Sequence, residues 1–419
     1  MRNLKIFPGE ISGCVTAPPS KSHSHRAIFL SSMADGESVI DEPLLSADTL
    51  SSCDAMRAFG ADIEVRDSRL RVRGGGLMSK GGTIDVGNSG TTLRLLSGLA
   101  SLFPQTTVID GDSSLRTRPM GPLINALTEM GARCSSVQGK PPVSISGPLV
   151  GRKVSIEGGV SSQFISSLLL ASGLREVDTT VEVLGRMSSR PYVDITISMM
   201  RRFGATVHCD GSSFTIEGGE YVPHDYRVPG DFSSAAFPLV AGAIAGDVKV
   251  TGLDHNDLQG DRAILDILRS FNADVEIGEG WARVKKSKLE AADVDLGDTP
   301  DLFPIVSVLA ANAEGTSRLF NASHLRFKES DRIATSVAML KSMGAHVTGT
   351  DDGCIVKGGR PLRGGIVETH GDHRIMMAGF VAGLNVIGHT EMSSNGEHEV
   401  SYPLFLEQMG HLGVKMEFD

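Results

Sequence analysis

A chain of 419 residues exceeds what one ordinary hydrophobic core accommodates and points to two domains or a repeat array. Its residues are 40% hydrophobic, 21% charged and 5% aromatic, a globular profile, and a formal charge of −10 argues against a general nucleic-acid binder, which needs a cationic footprint. An anionic small molecule remains compatible with that charge where cations gather locally.

Taken in chain order, one pattern recurs six times. Ser20-Lys21-Ser22-His23-Ser24-His25-Arg26 opens an apolar helix ending near Ala34, and a second helix with a charged face closes on Met56-Arg57-Ala58-Phe59-Gly60-Ala61. Gly87-Asn88-Ser89-Gly90-Thr91-Thr92-Leu93-Arg94 opens the next apolar helix, ending near Ala100. It is followed by a loop at Ser114-Leu115-Arg116-Thr117-Arg118-Pro119 and a helix closing on Gly131. Ser161-Ser162-Gln163 leads to Ala171, and Gly230-Asp231-Phe232-Ser233-Ser234 to Ala241, with charged-face helices closing on Gly204 and Asn272. Asp298-Thr299-Pro300-Asp301 leads to Ala310, after which Arg326-Phe327-Lys328-Glu329-Ser330-Asp331-Arg332 opens a helix running to Met343. His370-Gly371-Asp372-His373-Arg374 starts the last apolar helix, near Ala382, and Gly413 closes the last charged one.

Positions 60, 131, 204, 272, 344 and 413 lie 68 to 73 residues apart, and each is Gly or Asn, as a left-handed C-terminal cap requires. Short alternating strands such as Leu70-Arg71-Val72-Arg73 and Ser213-Phe214-Thr215-Ile216 lie between the helices, giving three or four strands per repeat. Six repeats in two groups of three bury the apolar helices and leave sheets outside. A binding solenoid is the competing architecture, but a period near seventy residues is longer than solenoids use.

Five scattered cysteines, Cys14, Cys53, Cys134, Cys209 and Cys354, never form a C-x-x-C pair, which argues against a disulfide framework and a zinc site. No metal or organic cofactor is expected. No apolar run reaches the roughly 18–20 residues of a membrane span, and the first eight residues show neither a signal region nor a transit segment, so a cytoplasmic location is expected.

The chemistry collects where the apolar helices begin. Such ends offer free N–H groups and a positive dipole, a ready anion site. Plain N-capping accounts for a lone Ser or Asp there, but not for Lys21, Arg26, Arg94 and Arg374, which the dipole disfavours; a bound anion resolves the conflict. For 326–332 the plain alternative is a solvated charged face.

Together these segments resemble the EPSP synthase family of enolpyruvyl transferases. The resemblance rests on Pro19-Ser20-Lys21-Ser22 with Arg26, on the segment 87–94, on Arg118-Pro119 and on Ser161-Ser162-Gln163. Ser189-Arg190-Pro191-Tyr192, Pro300-Asp301, the segment 326–332 and Asp372-His373-Arg374 complete it, all in family order over nearly the whole chain. It implies a two-lobed inside-out α/β barrel, one lobe formed by residues 1–19 plus 230–419 and the other by 20–229, with substrates in the cleft. It also implies transfer of the enolpyruvyl group of phosphoenolpyruvate to the 5-hydroxyl of shikimate 3-phosphate, in the shikimate pathway to chorismate and aromatic amino acids.

Carried over by position, Lys21, Ser22, Arg26, Ser161, Ser162, Gln163, Ser189, Tyr192, Asp301 and Lys328 are expected to hold shikimate 3-phosphate. Lys21, Gly90, Arg118, Gln163, Arg332 and Arg374 are expected to hold phosphoenolpyruvate. Asp301, Glu329 and Lys21 form the expected catalytic set, with Asp301 on the hydroxyl side and Glu329 on the methylene side. Asn88, Arg94, His324 and His398 are further candidates; Asp231 reads as a cap, Asp372 as a partner of a ligand, and His373 as either. The substrates are small molecules, and a monomer without nucleic-acid or membrane partners is expected.

Two departures from the family pattern stand out. Val400 precedes Ser401-Tyr402-Pro403 where a lysine is usual, leaving His398 as the nearest cationic candidate, and His324 stands where relatives often have Asn or an acid. The sister UDP-N-acetylglucosamine enolpyruvyl transferases usually open with Lys-Asn and carry a loop cysteine, whereas this chain has Lys21-Ser22 and no cysteine between Cys53 and Cys134. A catalytically inactive binding protein is the remaining alternative, opposed by the presence of Lys21, Asp301, Glu329, Arg332 and Arg374.

Overall fold

A computed structural model describes residues 2–418. The chain forms two compact units, one made of the segment up to Pro18 together with everything from Pro229, the other of Pro19–Val228. Each has its own apolar core.

Twelve α-helices alternate along the described residues between a buried and a half-exposed kind. The buried ones are α1 (Lys21–Met33), α3 (Gly90–Ala100), α5 (Ser162–Ser172), α7 (Phe232–Ala245), α9 (Phe303–Asn312) and α11 (His373–Ala382). Every residue of α7 is buried, and α5 leaves only Gln163 partly exposed, so these helices form the cores rather than cover them. The others are α2 (Ala47–Ala58), α4 (Gly121–Glu129), α6 (Arg190–Arg202), α8 (Ile264–Ser270), α10 (Arg332–Ser342) and α12 (Phe405–His411), each with one apolar face inward. All six end as the sequence pattern predicts. Gly60, Gly131, Gly204, Asn272, Gly344 and Gly413 have φ between 64° and 105°, where a Cβ is unfavourable and Asn is the best-tolerated substitute.

The sheets repeat more strictly than the sequence pattern indicated. Six four-stranded sheets share one order, a parallel pair followed by two antiparallel steps. In one, Lys153–Glu157 runs parallel to Thr179–Leu184, which pairs antiparallel with Ser213–Ile216 and that with Val207–Asp210. Strand Arg69–Gly74 shows the period-two pattern: Leu70 and Val72 are wholly buried while Arg69, Arg71 and Arg73 face solvent. The fold is thus an inside-out α/β architecture with helices as core and sheets as shell.

Each unit closes by pairing strands distant in sequence. Tyr226–Arg227 lies parallel to Gly36–Asp41 in one unit. In the other, Arg2–Phe7 runs between Thr390–Ser394 and Lys415–Phe418, and Ile11–Thr16 lies parallel to Gly246–Thr251.

Three expectations need correction. The charged run 326–332 does not open a helix: Ser323–Phe327 is a 3-10 turn, and α10 starts only at Arg332, because the Asp331 side chain caps it by accepting from the Ala334 N–H. The segment around Arg116 is a 3-10 turn, Leu115–Thr117, rather than an open loop. Helix α7 continues past Ala241 to Ala245, carried through Pro238 by complete burial of its apolar residues.

Candidate active site

The buried helices present their N-termini on the polar segments singled out in the sequence. Ser89 caps α3 by accepting from Thr92 N–H, Ser161 caps α5 through Gln163 N–H, and Asp372 caps α11 through Arg374 N–H. Capping is therefore real, and the cations beside it still need partners.

In the unit Pro19–Val228 those partners are mostly neutral. Gln163 is the hub between α3 and α5, its Oε1 accepting from Arg94 Nη1 and its Nε2 donating to Thr91 Oγ1 at 2.9 Å. Arg94 also lies over the Phe164 ring, 5.4 Å from its centre. Arg118 Nη2 donates to Asn88 Oδ1 at 2.8 Å, and Asn88 is fixed by donating to Asp112 at 2.7 Å. Gly90 makes room for that guanidinium, since a Cβ here would stand 2.6 Å from Arg118 Nη1. Lys21, at the first position of α1, pairs with Asp48 at 3.2 Å. Ser162 and Ser189 are buried, and Ser189 precedes α6 with a left-handed φ of 58°, a strained conformation for serine.

Arg26, expected from the sequence to grip substrate, also bridges three helices. Its guanidinium donates to Thr196 Oγ1, Ser166 Oγ and the carbonyls of Ser22 and Tyr192, pinning α1 to α5 and α6. Burial among these neutral acceptors lowers its pKa to about 10. Arg26 thus holds Ser22 and Tyr192 in place. The partners Thr196 and Ser166, 170 and 140 residues away, left no signal in the sequence.

In the other unit the cations meet carboxylates. Asp301 sits in the 3-10 turn Pro300–Leu302 that leads into α9. One of its oxygens accepts from Arg332 Nη1 at 2.8 Å and the other from Arg374 Nη2 at 2.8 Å. Arg332 Nη2 also donates to Glu329 at 2.6 Å, and its Nε to Asp372 at 2.9 Å. Asp372 further accepts from Ser330 Oγ at 2.9 Å and the Arg374 N–H at 2.9 Å. Burial pushes the Asp301 pKa up, but Arg374, Lys328 and Arg332 outweigh it and hold the carboxyl well below the usual range. Burial likewise lowers the Arg332 pKa, while Asp372, Glu329 and Asp301 more than reverse it. Sequence reading placed Asp372 only as a partner of a ligand; the fold makes it the most buried member of the cluster, fully inaccessible to solvent.

His324 is buried in the 3-10 turn that leads toward Lys328. His398 is buried in the 3-10 turn Glu397–Val400, beside a cavity of about 500 Å³ lined also by Ser394, Glu399 and Leu406. Burial lowers its pKa from the ordinary imidazole value despite the opposing charges of Glu399 and Glu397, which disfavours the cationic form. That lowering works against His398, the nearest cationic candidate, as a source of the charge that a lysine at position 400 would bring. Among the described residues no group of His, Cys, Asp and Glu is arranged to hold a metal ion, and no helix is long and apolar enough to cross a membrane.

Helix ends rich in N–H groups, and arginines fixed in plane beside carboxylates, define an enzyme of polyanionic small molecules. The EPSP synthase (3-phosphoshikimate 1-carboxyvinyltransferase) family model matches residues 7–409. A 3-phosphoshikimate 1-carboxyvinyltransferase of Methanocorpusculum labreanum is 48% identical over 99% of both chains, and one of Methanocella arvoryzae is 44% identical over 99% of both. An EPSP synthase structure from Acinetobacter baumannii superposes with a TM-score of 0.82 at 32% identity, covering all of both chains. The chain belongs to the EPSP synthase family.

Proposed function

We propose that this chain transfers the enolpyruvyl group of phosphoenolpyruvate to the 5-hydroxyl of shikimate 3-phosphate, giving 5-enolpyruvylshikimate 3-phosphate and phosphate. The observation that carries this reading is the Asp301–Glu329–Arg332–Arg374 cluster, in a chain whose relatives bear this activity over their whole length. The reaction belongs to aromatic amino acid biosynthesis, its reactants are water-soluble anions, and a cytoplasmic monomer suffices for it.

The roles of the residues follow the family resemblance. Ser161, Ser162 and Ser189 take the shikimate phosphate, where helix N–H groups and hydroxyls suit a dianion. Ser22, Gln163, Tyr192 and Lys328 orient the ring, with Arg26 holding Ser22 and Tyr192. Arg332 and Arg374 pair with phosphoenolpyruvate in the bidentate manner open to arginine, helped by Lys21, Gly90, Arg118 and Gln163. Asn88 fixes Arg118, and Arg94 fixes Gln163.

In the first step Asp301 takes the proton of the 5-hydroxyl, whose oxygen bonds to C2 of phosphoenolpyruvate, while Glu329, in its neutral carboxylic acid form, delivers its proton to the C3 methylene to give a methyl group. Lys21 steadies the charge of the tetrahedral intermediate. In the second step the methyl group returns a proton, the double bond re-forms, and the C2–O bond to phosphate breaks. A phosphate-release assay with phosphoenolpyruvate and either shikimate 3-phosphate or UDP-N-acetylglucosamine tests the reading. Release with the first acceptor alone is expected; release with the second alone, or with neither, overturns it.

A further inference from the structure

Arg332 and Arg374 are the cations assigned to phosphoenolpyruvate above, yet in the free chain carboxylates of the protein already hold them. Arg332 donates to three: Asp301, Glu329 and Asp372. Arg374 donates to the second oxygen of Asp301. The charge of Lys328 also acts on Asp301. An incoming polyanion therefore meets arginines already paired with carboxylates, and its binding requires that some internal pairs open.

The three carboxylates are not equivalent. The Asp372 side chain is wholly buried and cannot withdraw without uncapping α11 and stranding Ser330 Oγ and Arg332 Nε. Asp301 and Glu329 keep side-chain exposures of 19% and 17%, so water can take over the hydrogen bonds they give up. On Arg332 the two exposable partners occupy the Nη1 and Nη2 edge, while Asp372 takes Nε, backed by a longer 3.3 Å contact to Nη2. The guanidinium is thus anchored on one side and reversibly occupied on the other.

We propose that Asp301 and Glu329 are internal place-holders for the anionic cosubstrate, and that Asp372 is the positioning residue that keeps Arg332 in register while they are exchanged. Phosphoenolpyruvate displaces the two carboxylates from Arg332 and Arg374. The displacement itself turns them from ion-pair partners into groups able to exchange protons with the substrates. Released from Arg374 and Arg332, Asp301 loses the charges that hold its carboxyl ionised and becomes a stronger base. The groups facing the exchange are Lys328, Asp372, His373 and each other, besides the two arginines. This inference rests on the enolpyruvyl-transfer reading for the identity of the anion.

The exchange predicts an unusual sign. Removing an ordinary contact weakens binding, whereas removing a place-holder strengthens it. The thermal stabilisation of the full chain by phosphoenolpyruvate alone, and by inorganic phosphate, is measured across concentration for wild type, Asp301→Asn, Glu329→Gln and Asp372→Asn. Half-maximal stabilisation is expected at roughly tenfold lower phosphoenolpyruvate in Asp301→Asn and Glu329→Gln, because a charged competitor is gone. In Asp372→Asn it is expected at roughly tenfold higher concentration. The KM for phosphoenolpyruvate in the residual turnover of the first two variants falls in parallel with kcat. If Asp301→Asn and Glu329→Gln respond at unchanged or higher phosphoenolpyruvate, the exchange is overturned, whatever Asp372→Asn does. Phosphate release by the wild type separates the two ideas: an active wild type with the wrong sign sinks the exchange alone, while an inactive wild type sinks the transfer reading and leaves the sign to be read.

Discussion

The two units share a sheet order and helix plan, yet they treat charge in opposite ways. In Pro19–Val228, Arg26, Arg94 and Arg118 bond to hydroxyls, amides and carbonyls, and Lys21 pairs with the carboxylate of Asp48. In the other unit Arg332 and Arg374 bond to Asp301, Glu329 and Asp372. A cation held by neutral dipoles keeps its field for a ligand, and so suits holding a substrate phosphate steadily. A cation held by carboxylates is electrically quiet until something competes, and it brings proton acceptors with it. On the proposed reading, the same scaffold therefore yields one unit for grip and one for chemistry.

The division breaks most visibly in turnover. Asp301→Asn and Glu329→Gln are expected to lower kcat by roughly 10²–10⁴-fold while leaving the affinity for shikimate 3-phosphate within a few-fold, as steady-state kinetics and calorimetry will show. Near-normal turnover in either variant would remove that residue from the catalytic set. Next in size is Gly90→Ala. Its methyl group meets Arg118 Nη1 at 2.6 Å and must push the guanidinium aside, so the KM for phosphoenolpyruvate should rise tenfold or more, at roughly 1.5–3 kcal/mol per charge-assisted contact. The KM for shikimate 3-phosphate should stay nearly level; equal increases in both would show that Arg118 does not discriminate between them.

Position 400 sharpens the comparison from the other unit. Val400 supplies no charge, so a high KM for phosphoenolpyruvate is expected, relieved up to about tenfold by Val400→Lys. Because burial disfavours the cationic form of His398, His398→Ala should leave the pH dependence of that KM unchanged between pH 6.5 and 8. A profile that shifts on this substitution would restore the imidazole as a cation. The smallest effect concerns stability. The folded Asp301 pKa lies below its unfolded value near 4, so its contribution is present above about pH 4 and fades as acid titrates the folded carboxyl. Asp301→Asn should therefore flatten the acid side of the stability–pH curve below pH 4, read from urea midpoints, and an unchanged slope would mean that Asp301 is not held ionised by its arginines.

Features carried by local sequence were legible. The left-handed cap at position 272 is a property of Asn272 and the helix before it, and the Ser89, Ser161 and Asp372 caps announce themselves by residue type next to an apolar run. The start of α10 was misplaced because a charged stretch carries no hydrophobic period, and only the Asp331 cap marks the boundary. The charge balance around Arg332 was invisible for a different reason. Its partners lie 31 and 40 residues away at Asp301 and Asp372, brought together by the packing of α9, α10 and α11 rather than by spacing within one helix. Depth of burial, which separates Asp372 from Asp301 and Glu329, is not written in the residue type at all.

The strand Arg2–Phe7 carries a consequence for how the chain is made. Asn3 and Ser393 are 390 residues apart, yet their side chains are hydrogen-bonded and their strands are adjacent. During synthesis this strand leaves the ribosome long before either neighbour exists, whereas every strand of Pro19–Val228 finds its partners within its own stretch. The grip unit can mature on the nascent chain, with the early strand kept waiting as an open edge. The last unit to be completed is the one that carries Asp301, Glu329, Arg332 and Arg374, so a prematurely terminated chain has one finished unit and lacks that charge cluster in its folded form.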